Sequence, residues 1–191
     1  MSEFESYDMT KFLENCEKMN LTLSTEQQQQ FVRYYELLVE WNSFMNLTGI
    51  TDFQEVLQKH FEDSLALVRG IDLSAVTSVM DVGTGAGFPG LPLKIAFPHL
   101  KIVLLDSLGK RVKFLNHVIE ELVDSRAVAN LSSLSEYCIP YTKVNGIFVS
   151  YKSGKIEEEL EQAKKAIFLL GGKLDHTVKF QLGGSDIDRS L

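Results

Sequence analysis

The sequence predicts an α/β fold, with a mostly parallel sheet, helices on both faces and an N-terminal helical extension. Three features indicate it: helical periodicity in the first third, alternation of strand-like and helix-like segments from Val76 onward, and a glycine-rich turn after the first strand. A chain of 191 residues, 45% of them hydrophobic, can bury a substantial core. We expect residues 1–75 to form the extension and residues 76–191 the α/β domain.

The first third is predicted to contain three helices. Apolar residues recur at helical spacing from Met9 to Cys16, and Ser24 with Gln27 forms the capping-box pattern that opens a second helix. The run of glutamines at 27–30 is predicted to be a solvated face of that helix. A third helix is expected over residues 53–68.

From residue 76 the pattern changes to strands and helices in alternation. The segments "VTSVMDV" and "KIVLLD" read as buried strands, and each is followed by a helical pattern, which favours a parallel sheet with crossover connections. Further on, "GIFVSYK" and "KLDHTVKFQL" are predicted strands. They flank "KIEEELEQAKKAIFLLGG", a helix closed by glycine.

Composition restricts the possible partners. The N-terminus has no secretory pattern and no apolar run approaches the ~20 residues that span a bilayer, so we expect a cytoplasmic protein without membrane association. Cys16 and Cys138 stand alone, so no metal site is predicted. With a net charge of −7, any nucleic acid must meet a local basic patch.

The segment "VMDVGTGAGFPGLPLKI" indicates a ligand site where a strand passes into a helix. Glycines allow a tight turn and let a ligand approach the backbone N–H groups. The phosphate-loop pattern is excluded, because no Lys-Ser or Lys-Thr follows the glycines. Gly85, Gly87 and Gly90 can be read as a dinucleotide fingerprint. The alternative register starts at Asp81, whose carboxylate suits a ligand with an ammonium and no pyrophosphate.

Asp106 ends the next predicted strand, where a parallel neighbour offers a carboxylate to ribose hydroxyls. NAD and S-adenosylmethionine both carry such a ribose. The residues alone therefore predict an adenosine-bearing ligand and leave these two open.

Further motifs carry a family resemblance. The segments "DVGTGAGFPGLPLKI" and "LLDSLGKRVKFL" resemble the bacterial glucose-inhibited division protein B family, the 16S ribosomal RNA guanine-N7 methyltransferases. So do "LVEWNSFMNLTGI", "KHFEDSLAL", "SRAVANLSSL", "YK" near Lys152 and "DIDRSL" near Arg189. These segments cover most of the chain in the family's order.

The resemblance implies a class I methyltransferase (Rossmann-like) fold that takes S-adenosylmethionine as donor and 16S ribosomal RNA of the small subunit as substrate. Separately, we expect a monomer. The cofactor-binding residues expected from the glycine turn and the resemblance are Gly83, Gly85, Phe88, Asp106 and Arg126. The expected RNA-facing residues are Lys110, Arg111, Lys152 and Arg189. No catalytic acid or base is assigned, because guanine N7 carries a lone pair and no proton.

The chain departs from the family pattern after Leu122, where "VDSRAVA" follows at once and a family strand, helix and adenine-bracketing pair are missing. The sequence also stops at Leu191 without a basic tail. We expect that segments are absent between Leu122 and Val123 and after Leu191.

Two alternatives remain at the level of sequence. A nicotinamide-dependent oxidoreductase would share the glycine turn, and a degenerate methyltransferase fold could act as a ribosome-binding module. His60, Asp63 and Ser64 could suggest a hydrolase triad, but they share one helix face, whereas a triad needs convergent elements. They are predicted to form a polar seam between the extension and the α/β domain, with Asn46 and Thr48 bracing a turn.

Overall fold

The computed structural model describes residues 7–122, 128–129, 142–153 and 156–191. The chain divides into two compact units, Met1–Ser132 and Ser133–Leu191, which are described separately below. The predicted domain boundary at residue 75 and the predicted absent segments stay predictions.

The first unit begins with two helices, α1 (Thr10–Lys18) and α2 (Thr25–Met45). The predicted capping box is confirmed: Gln27 N donates to Ser24 Oγ at 3.2 Å, and Ser24 N donates to Gln27 Oε1 at 2.8 Å. The helix ends at Asn46, whose left-handed φ of 52° suits asparagine better than a branched residue. α2 therefore has well-defined ends that local sequence encodes.

The prediction that the glutamine run is a solvated face is wrong. Gln27 Nε2 donates to the carbonyls of Ile95 and Ala96 at 2.8 and 3.1 Å, and Gln30 Nε2 donates to that of Leu122 at 2.8 Å. These carbonyls lie in the last turns of two later helices, where backbone acceptors have no intrahelical partner. The glutamines anchor α2 by capping those helices.

The predicted third helix is a helical run that changes pitch. It passes from α3 (Phe53–Val56) through a π-helical turn (Leu57–Glu62) and α4 (Asp63–Leu65) into a 3₁₀ turn (Ala66–Arg69). Its buried face completes an aromatic core, in which the Phe61 ring lies 5.0 Å from that of Phe31 and 5.3 Å from that of Tyr34. Wide π turns occur often at functional sites, and this one carries His60.

The predicted parallel sheet is confirmed. After a 3₁₀ turn (Leu73–Ala75), the chain forms β1 (Ser78–Val82), α5 (Gly90–Ala96), β2 (Lys101–Leu105), α6 (Gly109–Leu122) and β3 (Val128–Ala129). The strand order is β1-β2-β3, with every pair parallel. Val82 pairs with Leu105, so the two strands end side by side. The first unit is thus an α/β fold built on a parallel sheet.

The second unit contains β4 (Lys152–Ser153), α7 (Glu157–Leu169), β5 (Lys179–Gln181) and β6 (Asp188–Ser190). These strands form an antiparallel sheet in the order β4-β6-β5. The glycine stop of α7 is confirmed by Gly171, whose φ is +79°. The strand predicted over "GIFVSYK" is wrong for residues 146–151, because pairing with β6 begins only at Lys152.

The described part of the chain contains no helix with the length and apolarity needed to cross a membrane.

Candidate functional site

The glycine turn starts where β1 ends and is fixed by the neighbouring strand. The backbone N–H groups of Gly83 and Thr84 both donate to the carbonyl of Leu105, at 2.7 and 3.0 Å. Gly83 and Gly85 have φ values of 77° and 61°, which L side chains rarely adopt. A Cβ at Gly85 would have no heavy atom within 4 Å. The turn therefore leaves space over the backbone at Gly85.

The second half of the turn is packed. A Cβ on Gly87 would lie 2.6 Å from the Tyr34 hydroxyl oxygen, and one on Gly90 would lie 2.8 Å from Asp81 Oδ2. Gly90 is needed because neighbouring side chains fill the volume of a Cβ, and Gly87 is needed both for that reason and for its φ of 99°. A glycine that allows close packing at the helix start also occurs in dinucleotide sites. The spacing of the glycines therefore does not distinguish S-adenosylmethionine from NAD.

Asp81 holds the two halves of the turn together. Its Oδ2 accepts hydrogen bonds from the Thr84 hydroxyl at 2.6 Å and from the Gly90 N–H at 2.8 Å. Burial raises the pKa of Asp81 to about 6, the nearby Asp106 charge adds to this, and the two hydrogen bonds oppose it. The structure therefore gives Asp81 a bracing role, and its predicted contact with a ligand ammonium stays a prediction.

Asp106 follows β2 and lies against the open half of the turn. Its Oδ2 accepts from Gly85 N at 2.9 Å and lies 3.4 Å from Arg111 Nη1, while Oδ1 accepts from Leu108 N at 2.8 Å. The side chain is only 2% exposed. The predicted proximity of the glycine turn and this carboxylate is confirmed. Because the carboxylate is buried, ribose hydroxyls can reach it only if one of the groups that cover it moves.

Arg111 is part of that cover. The sequence placed Arg111 with the RNA and Asp106 with the cofactor, yet the structure brings the two side chains into one ion pair. The Nε of Arg111 is buried and has no hydrogen-bond partner in the described part of the chain. An orphaned donor beside the carboxylate and the open backbone of Gly85 fits a polar ligand at this point.

Phe88 forms a wall of the same turn together with His60 and Tyr34, from helices that precede β1. The His60 ring stacks on the Phe88 ring at 4.5 Å and 13°. On α2, the Tyr34 hydroxyl donates to the carbonyl of Ala86 at 2.5 Å. Sequence reasoning gave neither contact, because both join residues far apart in the chain and nothing local marks them.

His60 also binds the loop after α2. Its Nε2 lies 2.9 Å from Thr48 Oγ1, and that oxygen accepts from Ile50 N at 3.1 Å. The Ser64 hydroxyl donates to the His60 backbone carbonyl at 2.5 Å, so it is not aimed at the ring. The predicted bracing of a turn by Thr48 is confirmed. Burial lowers the pKa of His60, which favours an uncharged ring beside Phe88.

The remaining predicted residues lie at several places. Lys110 Nζ donates to the carbonyl of Met45 at 3.0 Å, which ties α6 to the end of α2. Lys152 and Arg189 belong to the second unit, on the paired strands β4 and β6, where Lys152 is opposite Ser190 and Ser153 opposite Arg189. Arg126 lies outside the described residues, as does Cys138.

The described residues include no group of three or more His, Cys, Asp or Glu side chains that could hold a metal ion. Cys16 is buried, and burial together with the charge of Glu62 raises the pKa of its thiol to about 12. A thiol with that pKa remains protonated at neutral pH and is a poor ligand or nucleophile.

A parallel βαβ unit with a glycine turn at one strand end and a carboxylate at the next defines a class of nucleotide- or nucleoside-binding α/β enzymes, methyltransferases among them. The family model described as rRNA small subunit methyltransferase G matches residues 27–125 and 120–189. The chain belongs to this family.

Curated relatives agree with the family match. Ribosomal RNA small subunit methyltransferase G of Lachnoclostridium phytofermentans is 46% identical over 211 residues, covering 96% of this chain and 87% of the relative. The protein of the same name from Exiguobacterium sibiricum is 43% identical over 208 residues, with 95% and 87% covered. That from Staphylococcus aureus (strain Newman) is 47% identical over 195 residues, with 88% and 82% covered.

Proposed function

We propose that this chain transfers a methyl group from S-adenosylmethionine to N7 of a guanine in the 16S ribosomal RNA of the small subunit. The observation that carries the proposal is the joining of the family's glycine turn to a buried carboxylate, through the Gly85–Asp106 hydrogen bond. The membership of the family separates this activity from the oxidoreductase that the turn alone would allow.

The cofactor site we propose is formed by Gly83, Gly85, Phe88 and Asp106, with Arg126 assigned by family resemblance. Gly85 offers open backbone, and Phe88 supplies an apolar ring at the end of the turn. Asp106 is proposed to bind the ribose hydroxyls. A carboxylate can accept about four hydrogen bonds, and three donors among the described residues reach this one, which leaves acceptor capacity for a ribose hydroxyl. Ribose binding to it requires Arg111 to move or to share the carboxylate.

The bound cofactor supplies a sulfonium methyl group, which the in-plane lone pair of guanine N7 can accept without loss of a proton. The chain's own residues therefore need to orient the two ligands and exclude water rather than move a proton. Two carboxylates, Asp81 and Asp106, lie at the turn and favour a cationic ligand. An uncharged His60 behind Phe88 adds no opposing charge.

RNA recognition is assigned to basic side chains outside the turn. Lys110 and Arg111 stand in the first turn of α6, where Arg111 pairs with Asp106 and Lys110 is exposed. Lys152 and Arg189 lie on the paired strands β4 and β6, on opposite faces of the small antiparallel sheet. Because the chain as a whole carries a charge of −7, such local groups must supply the phosphate contacts.

The proposal is tested by incubating the full chain with S-adenosylmethionine and small subunits from cells that lack the modification. Mass spectrometry of the digested RNA should show new 7-methylguanosine. Asp106→Asn should weaken cofactor binding at least tenfold, whereas Asp8→Asn, an exposed matched control, should not. Cofactor binding without any methyl transfer would indicate a ribosome-binding module, and binding of NADH instead of the cofactor would indicate an oxidoreductase.

A further inference from the structure

The exposed end of α2 carries aromatic side chains that the fold does not bury. Phe44 is 66% exposed, and its ring lies 5.5 Å from that of Trp41. Trp41 is half-buried, with one contact to the core ring of Phe114 at 5.7 Å and another to His117 at 5.2 Å. Exposed aromatic residues in contact with each other are uncommon on a surface without a ligand or partner.

Basic side chains of α6 border these rings. Lys110, Lys113 and His117 follow one another at spacings of three and four, so they share a face of the helix. That face lies against α2, because Lys110 binds the Met45 carbonyl and His117 contacts Trp41. Lys110 and Lys113 are exposed. Basic groups of α6 therefore border the aromatic groups of α2 on one surface within the first unit.

Acidic groups are less dense at this end of the helix pair. At the other end, Arg33 is engaged by Glu36 and Glu121, at 3.4 and 3.0 Å. Near the aromatic end, Glu40 is the acidic residue of α2 within one turn of Phe44. Two lysines thus stand near one carboxylate of α2, with Glu120 three residues beyond His117 on α6, in a chain with an overall charge of −7.

We propose that the surface formed by Trp41, Phe44, Lys110, Lys113 and His117, the aromatic–basic surface, binds unpaired nucleotides of the RNA substrate. A base stacks on Phe44 and Trp41, and the lysines contact the adjoining phosphates. Unpaired bases stack on aromatic side chains while amines track the backbone, whereas the cores of protein interfaces are depleted of charge. This inference rests on the proposed function, because it names how the same RNA substrate is held.

The experiment uses the single tryptophan of the full chain, Trp41, as a reporter. Adding a single-stranded fragment of the RNA substrate should quench its fluorescence, and a duplex of the same sequence should quench it less. Phe44→Ala should raise the KM for RNA about tenfold, the range found when one stacked base is lost, with cofactor affinity unchanged. Lys113→Gln should raise the KM less and reduce its dependence on salt.

Matched controls lie elsewhere in the chain. Phe168→Ala removes an aromatic ring that is 78% exposed on α7, and Lys101→Gln removes an exposed lysine at the start of β2. Both should leave the KM for RNA unchanged. Glu40→Gln should lower the KM for RNA, because it removes a negative charge that repels the phosphates.

The outcomes separate the two proposals. One outcome is that the wild-type protein methylates RNA while Phe44→Ala and Lys113→Gln keep the wild-type KM for RNA and the wild-type fluorescence quenching. In that case the aromatic–basic surface does not contact RNA, and the proposed function stands. Effects seen only with assembled subunits, and not with RNA alone, would assign the surface to a protein partner and overturn the inference. If no methyl is transferred, quenching of Trp41 fluorescence by RNA still shows whether the aromatic–basic surface binds RNA.

Discussion

The two halves of the glycine turn use the same residue type for different reasons. At Gly83 and Gly85 the backbone needs a positive φ, and around the Cβ position of Gly85 the volume is empty. At Gly87 and Gly90 the volume is filled by Tyr34, Leu91, Asp81 and Leu104. Gly87 also has a positive φ, of 99°, so it meets both requirements, whereas Gly90 is needed for packing alone. A substitution at Gly85 should therefore strain the backbone, and one at Gly90 should create a steric clash.

The largest effect is expected at the packed end. Gly90→Ala would place a Cβ against Leu104 and 2.8 Å from Asp81 Oδ2, and should lower the free energy of unfolding by about 3 kcal/mol or more. Urea denaturation measures this. Gly109→Ala, at an open position that begins α6, is the control and should be neutral or slightly stabilising. Equal effects of the two variants would contradict the distinction between packed and open glycines.

Asp81, which joins the two halves, should make stability depend on pH. Its pKa is raised to about 6, so between about pH 4 and pH 6 the folded protein holds a proton that the unfolded chain has released. This contribution is complete below about pH 4 and is lost as the pH rises through 6, by up to about 3 kcal/mol.

The measurement for Asp81 is the unfolding free energy at pH 4.5 and pH 7 in wild type and Asp81→Asn. The variant should lack this part of the decline, since an amide does not titrate. An identical decline in both proteins would show that Asp81 has an ordinary pKa in the fold.

Tyr34 tests the contact that the extension makes with the turn. Tyr34→Phe leaves the buried Ala86 carbonyl without its 2.5 Å hydrogen bond and should cost about 1–2 kcal/mol of stability. In a Gly87→Ala background the cost should be smaller, because the hydroxyl stands 2.6 Å from the new Cβ. A double-mutant cycle measures this coupling, and strict additivity would mean that the two groups do not meet.

The smallest loss of stability is expected at the open end. Gly85→Ala meets no neighbour but must adopt a φ of +61°, so about 1 kcal/mol of stability should be lost. Its affinity for S-adenosylmethionine, measured by calorimetry, should fall about tenfold, which is 1.4 kcal/mol of binding. Unchanged affinity would remove Gly85 from the proposed cofactor site.

Local signals predicted much of the first unit. The capping box, the two strands of "VTSVMDV" and "KIVLLD" and the proximity of Asp106 to the glycine turn all follow from residues close in sequence or from the register of adjacent parallel strands. The strand predicted at 146–151 failed because an apolar, β-branched run forms a strand only where another strand pairs with it, and in the described structure pairing starts at Lys152.

The sequence by itself determined the glycine turn, the order β1, α5, β2, α6 around it and the family to which the chain belongs. The tertiary structure alone decided that Gln27 and Gln30 cap distant helices, that His60 stacks on Phe88 and that Arg111 pairs with Asp106. The reason is physical. Caps, turns and periodicity depend on neighbours within a few residues, whereas these contacts depend on how separate elements pack, which no short stretch of sequence encodes.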